Sequence, residues 1–201
     1  FLHQENLESL KLIIVQAGED PASTVYIGQK TKAAHSIGIE VVHEKFSASL
    51  TTEELVQKIY SFNGDKSVHG ILVQLPLPKQ IDTALIFRSV DPDKDVDGFT
   101  AYNLGKMFLD KNFEQLVPCT PKGILRLLEE YKIAVTGKNA VVVGASNIVG
   151  KPLSTMLLNR RATVSVCHSK TENLSSYTRM ADLLFVAVGK AYVIKSDYYI
   201  F

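Results

Sequence analysis

"AVVVGASNIVGKP", Ala140 to Pro152, is the stretch on which the fold turns. A run of small and β-branched apolar residues suited to a buried strand ends at Gly144, and Gly150 then opens a segment with helical spacing. Gly144 lets the chain turn tightly, Gly150 lets helix and strand approach, and Pro152 falls in the first helical turn, where a missing N–H costs nothing. A strand that feeds a helix N-terminus through glycine is what a nucleotide pyrophosphate needs. The pattern is G-x-S-x-x-x-G and not G-x-G-x-x-G, so on these residues alone a cofactor loop and an ordinary strand-to-helix turn both stand.

Downstream, "TVSVCHSKT" (Thr163–Thr171) is a second strand with a polar end, and "LLFVAVG" a third, with a helix near Asn173 to Met180 between them. Recognition of NAD ribose usually takes an acid about 20 residues past the glycines. Here the strand ends on His168, Ser169 and Lys170, whose hydroxyl and cation suit a 2′-phosphate and favour NADP; a plain polar loop is the other reading. Upstream, "LIIV" (Leu12–Val15), a Gly-Glu-Asp-Pro turn and a helix over Ala22 to Ile37 lead to a strand at Ile39–Phe46. "TTEELVQKIYSF" opens with a Thr51/Glu54 capping box, and "VHGILVQL" is a further strand. Strand and helix alternate in both halves, which predicts α/β architecture with parallel sheets and helical crossovers. Between Leu75 and Pro121 prolines and acids gather in "PLPKQID", "DPDKDVDGF" and "PCTPKG", separated by helical pieces at Thr83–Ser89 and Asn103–Leu109. "GILRLLEEYKI" is an amphipathic helix, and a boundary near Pro118 to Lys138, drawn at 120/121, divides two α/β units with the cleft between them as the default site.

Composition is that of a folded domain: 201 residues, 46% hydrophobic and 21% charged, with Lys and Arg numbering 22 against 21 Asp and Glu. So balanced a charge gives no field that would draw the chain to nucleic acid or an anionic membrane. Cys119 and Cys167 lie far apart in strand-like or apolar settings, which suggests reduced thiols and a cytoplasmic or organelle-matrix compartment. The longest apolar runs are far shorter than a membrane span. Both ends, "FLHQENLESL" and "SDYYIF", read as cut.

Tyr26 and Lys30, at i and i+4 in "GEDPASTVYIGQK", share one helix face and can enter one pocket. A lysine in a desolvated cleft becomes a general acid or base, whereas with Lys32 nearby the same pair also reads as a solvated face. The Tyr-x-x-x-Lys of short-chain dehydrogenases follows their glycine loop, and here the pair precedes it. Gln74, at the carboxyl end of "GILVQLPLP", can direct its amide into a cleft or satisfy a loop backbone. Asp91, Asp93, Asp95 and Asp97 lack the glutamate that closes a calcium loop, so one or two of them holding a polar ligand is the better reading than a metal. His3, His35, His43, His69 and His168 show no zinc spacing.

Six motifs in order, "EDPASTVYIGQKTKAAHSIGI", "GILVQLPLP", "DPDKDVDGF", "PCTPKGI", "GASNIVGKP" and "CHSKT", resemble the bifunctional methylenetetrahydrofolate dehydrogenase/methenyltetrahydrofolate cyclohydrolase family from about Leu12 to Lys190. The resemblance implies a folate-binding catalytic domain over 1–120 and a Rossmann-like NADP-binding domain, incomplete here, over 121–201. It implies that Lys30 is the catalytic lysine, Tyr26 the neighbour that stacks on folate, and Gln74 the glutamine that assists, with Val73 and Leu75 in the same substrate-binding set. Asp97 resembles the carboxylate that hydrogen-bonds the pterin, and Gly144, Ala145, Ser146 and Ser169 the segments that hold NADP. A homodimer formed through the nucleotide domain, tetrahydrofolate derivatives as substrates, a place in one-carbon metabolism and purine biosynthesis, no metal and no nucleic-acid partner are further implications. Ala145 stands where the family usually has arginine, a natural partner for the 2′-phosphate, which leaves NAD open beside NADP. The family also continues past "AVGK", so a truncated chain is expected, and a degenerate, non-catalytic folate- or nucleotide-binding relative is the alternative to an enzyme.

Overall fold

Seven residues of strand β1 (Lys11–Ala17) form the axis of the first half of the molecule, whose computed structural model describes residues 10–198. His3 and both chain ends lie outside the described residues. β1 pairs in parallel with β2 (Glu40–Phe46), from Lys11↔Glu40 to Ala17↔Phe46, and with β3 (Gly70–Val73), from Leu12↔Gly70 to Val15↔Val73. The order is therefore β2-β1-β3, with helices α1 (Pro21–Ser36) and α2 (Thr52–Gly64) as the crossovers. Alternation along β1 splits its side chains between two layers. Ile13, Val15 and Ala17 pack with Leu55 and Ile59 of α2 and Ile86 of α3 (Thr83–Ser89), while Ile14 meets Ile27 of α1 and Leu72 of β3. Ile14 and Ile59 are wholly buried, and each such side chain contributes about 1.5–3 kcal/mol.

Local chemistry sets the helix ends. The Thr51 hydroxyl accepts the Glu54 amide at 3.2 Å and the Glu54 carboxylate accepts the Thr51 amide at 2.8 Å, the capping box that the spacing predicts. α1 starts with Pro21 behind an Asp20 cap, whose carboxylate accepts the Ser23 amide at 2.7 Å. β3 is shorter than the apolar run suggests, and beyond it the acidic loop lies alongside: the Ile71 amide donates to the Lys94 carbonyl at 2.7 Å, and Ile71 bridges Asp95 in parallel.

The second half repeats the plan. β4 (Asn139–Val143) is central, with β5 (Thr163–Cys167) and β6 (Leu183–Val186) parallel on either side, in the order β5-β4-β6. α4 (Ala101–Leu109), α5 (Cys119–Glu130) and α6 (Gly150–Asn159) pack on one face through Met107, Leu125, Leu153 and Leu157, against Ala140 and Val142. α7 (Leu174–Arg179) supplies Leu174 to the other face, where Val141, Val143 and Cys167 are buried. α5 starts at Cys119, ahead of the "GIL" periodicity, because Pro121 is tolerated in a first turn, and it stops at Glu130 before Lys132 takes a left-handed φ of 55°.

The chain divides into two compact units, residues 1–101 and 102–201. Met107 and Val117 are buried in the second core, and the Asn159 amide donates to the Met107 carbonyl at 2.8 Å and to the Glu114 carboxylate at 3.0 Å, so residues 102–120 belong with the second sheet.

Burial separates the two thiols: Cys119 is exposed, whereas Cys167 is buried and desolvation pushes its thiol up from the ordinary cysteine value. A thiol-reactive disulfide reagent is expected to titrate Cys119 quickly in the native protein and Cys167 only after denaturation. Rapid reaction of both thiols in the native state would contradict the packing of β5.

Candidate functional site

At the carboxyl edge of the first sheet a chain of polar contacts joins α1 to the end of β3. Asp20 caps α1 and holds the Ser23 hydroxyl at 2.7 Å; these two Ser23 contacts, hydroxyl first and amide second, keep the Asp20 carboxyl below its usual value. The same hydroxyl lies 3.2 Å from the Leu75 carbonyl, which also accepts the Gln74 side-chain N–H at 2.7 Å. With its nitrogen committed there, the Gln74 amide presents Oε1 to Lys30, whose Nζ donates across 3.3 Å. The Gln74 main chain is itself fixed, because its N–H continues the ladder to the Val15 carbonyl at 2.8 Å. The strand-end glutamine thus satisfies the Leu75 backbone with its nitrogen and reaches Lys30 with its oxygen. Ser23 was not visible as a site residue in the sequence, since the carbonyl it meets is far along the chain.

Tyr26 lies one turn before Lys30 on α1 and is 61% exposed. Val73 is buried as the last residue of β3, and Leu75 is half-buried just beyond Gln74. Asp97 is half-buried and follows the Ile71↔Asp95 bridge by two residues, as Val73 does on the other side of it. Its acidic neighbours shape the loop: Asp91 accepts the Asp93 amide at 3.0 Å, and buried Asp95 accepts the Thr100 amide at 2.8 Å. No cluster of three or more metal-ligating side chains occurs among the described residues.

In the second unit the glycine loop is built by close approach. Gly144 has φ +123°, and a Cβ on it would run into the Ala187 carbonyl after β6; a Cβ on Gly150 would run into the Gly144 carbonyl. Only glycine fits at either place. Ser146 closes the loop, its Oγ accepting the Val149 amide at 3.1 Å and the Gly150 amide at 3.4 Å at the start of α6. Both lone pairs are thereby engaged, and the hydroxyl hydrogen remains to donate outward. Ala145, between them, is half-buried and brings no charge. Beside this loop the Gly144 amide donates to the Cys167 carbonyl at 2.8 Å, and the turn after β5 is tied by His168 N–H to Thr171 Oγ1 at 2.8 Å and Lys170 N–H to His168 Nδ1 at 3.2 Å. Ser169 and Lys170 project from that turn, exposed. The loop, the helix start and the polar turn are the parts a dinucleotide phosphate requires: close backbone approach, a helix N-terminus and hydroxyl donors.

No helix among the described residues is long and apolar enough to cross a membrane. Residues 2–97 match the family model for the tetrahydrofolate dehydrogenase/cyclohydrolase catalytic domain, and residues 118–199 match the NAD(P)-binding domain of the same proteins. Among curated proteins, the bifunctional protein FolD of Ligilactobacillus salivarius is 47% identical over 98% of this chain and 68% of its own, and that of Campylobacter concisus is 50% identical over 92% and 65%. Among solved structures, the bifunctional FolD of Campylobacter jejuni superposes with a TM-score of 0.92 at 47% identity, covering 98% of this chain and 70% of that one. The Trypanosoma brucei dehydrogenase-cyclohydrolase, complexed with NADP cofactor and inhibitor, gives 0.93 at 29% identity, covering 98% and 67%. The chain spans roughly two thirds of the length of these relatives. With both of its units matched in order, this chain belongs to the tetrahydrofolate dehydrogenase/cyclohydrolase family.

Proposed function

We propose that the chain oxidises methylenetetrahydrofolate to methenyltetrahydrofolate with NADP and hydrolyses the product to 10-formyltetrahydrofolate, as a step in one-carbon metabolism. The observation that carries this reading is the Lys30 ammonium on the Gln74 amide oxygen at the end of β3. Folate belongs to the first unit and the dinucleotide to the second.

Hydride transfer asks the protein mainly for alignment of two rings and exclusion of water. The exposed Tyr26 ring is the stacking wall for the folate, and Asp97 accepts hydrogen bonds from the pterin. NADP, when bound, supplies the hydride acceptor. The Gly144–Ser146 loop, the positive end of the α6 dipole and the Ser146 and Ser169 hydroxyls hold it. Hydrolysis asks for more. Water adds to the cationic methenyl carbon, loses a proton, and the C–N bond opens as the ring nitrogen takes one up; Lys30 moves these protons at Nζ. Gln74 orients Lys30 without adding charge, because its own nitrogen is held by the Leu75 carbonyl.

The reduced thiols and this metabolism suit a cytosol or an organelle matrix. A homodimer through the second unit is consistent with apolar side chains such as Val166 and Val186, exposed on β5 and β6.

Replacing Lys30 with methionine removes the proton carrier and keeps the stem. Hydrolysis of methenyltetrahydrofolate is expected to fall by at least about 10²-fold, the lower end of general acid/base assistance, while NADP-dependent oxidation persists. Assays of the two half-reactions on purified protein check this, and hydrolysis at the wild-type rate sinks the role of Lys30. For the cofactor, Ala145→Arg is expected to raise the NADP-over-NAD ratio of kcat/KM about tenfold or more, since a charge-assisted hydrogen bond contributes about 1.5–3 kcal/mol. An unchanged ratio would place 2′-phosphate recognition elsewhere.

A further inference from the structure

α2 ends without a basic residue in its last turn, and its final carbonyls are met by a cation from outside the helix. Lys94, in the acidic loop, donates from Nζ to the carbonyls of Asn63 at 2.7 Å, Asp65 at 2.7 Å and Phe62 at 3.1 Å. An ammonium has three N–H bonds, and here each has an acceptor. The position is also favourable for charge, because a helix C-terminus carries partial negative charge.

The consequence falls on the loop more than on the helix. Asn63 adds a second tie, donating from its amide to the Ser89 carbonyl at 2.7 Å and accepting the Asp91 amide at 3.0 Å. The Lys94 carbonyl accepts from Ile71 of β3, and immediately after it Asp95 holds the Thr100 amide with its carboxylate and the Gly98 amide with its carbonyl. Asp97 thus sits in a turn between two anchors. On the near side the anchor is Lys94 at the end of α2; on the far side it is the Asp95–Thr100 contact with Gly98 at φ 65°.

We propose that Lys94 is a positioning residue for folate: by pinning the loop to the end of α2 it fixes where Asp97 presents its carboxylate, and it does so without touching the substrate. The inference rests on the folate role given to Asp97. Lysine is required at this position because three diverging donors match three carbonyls. A guanidinium, with its donors in one plane, matches them less well.

The test compares Lys94→Met, Lys94→Arg, Asp97→Ala and, as a control, Lys58→Gly, which weakens α2 through helix propensity at an exposed position away from the loop. Affinity for tetrahydrofolate by titration and the KM values for methylenetetrahydrofolate and NADP are measured on each, with denaturation midpoints. Lys94→Met is expected to raise the folate KM and Kd about tenfold or more, in the direction of Asp97→Ala, with the NADP KM unchanged and kcat at saturating folate lowered less than kcat/KM. Lys94→Arg should fall between Lys94→Met and the wild type, and it carries the test if the methionine variant does not fold. Lys58→Gly should lose stability and keep its folate KM. Folate parameters unchanged in both Lys94 variants, or raised equally in Lys58→Gly, would overturn the positioning role alone. A wild-type chain that binds no tetrahydrofolate would overturn the folate reading and this inference with it.

Discussion

The site proposed in the first unit turns on one contact, the 3.3 Å approach of the Lys30 ammonium to the Gln74 amide oxygen. A long, flexible side chain keeps a fixed direction only if its partner is fixed first. Gln74 is fixed twice, by the β1 ladder through its main chain and by the Leu75 carbonyl through its side chain. The parallel register of β1 and β3 therefore reaches the site directly: Val15 lies level with Val73, and the next residue of β3's strand line is Gln74. Asp20 and Ser23 set the other end, since the capped first turn of α1 determines where Lys30, two turns on, emerges. Sheet register and helix cap converge on one side chain.

The second unit uses the opposite strategy, removing side chains where the first places them. Gly144 and Gly150 leave room for carbonyls that any Cβ would strike, so strand, loop and helix close on one another. Ser146 stabilises that arrangement with its oxygen while its hydrogen stays free for a ligand. The same residue is part of the fold and part of the proposed cofactor site. Ala145 contributes space and no charge, so in the proposed cofactor site discrimination between dinucleotides would fall to Ser169 and Lys170.

Most of this was legible where the cause is local. The Thr51/Glu54 box, the β-α alternation and the glycine loop are short-range patterns, and the structure has them at the expected residues. What could not be read depends on distant partners. Ser23 acquires its meaning from the Leu75 carbonyl, and Lys94 from the carbonyls at the end of α2, neither of which leaves a mark near the residue itself. The helix α4 is a related case: its apolar stripe announces a buried face and does not say which core will bury it. Lys30 is the instructive case: its spacing to Tyr26 also fits a wet helix face, and its contact with Gln74 across the sheet edge leaves no mark in that spacing.

The account holds that Gln74 serves hydrolysis by directing Lys30, and that oxidation needs neither group for its chemistry. The most direct measurement is the ratio of cyclohydrolase to dehydrogenase rates in Gln74→Met at saturating folate, a change that keeps side-chain length and removes the acceptor. The ratio is expected to fall about tenfold or more with oxidation largely retained. A ratio equal to that of the wild type, with both rates intact or both lowered together, would contradict it.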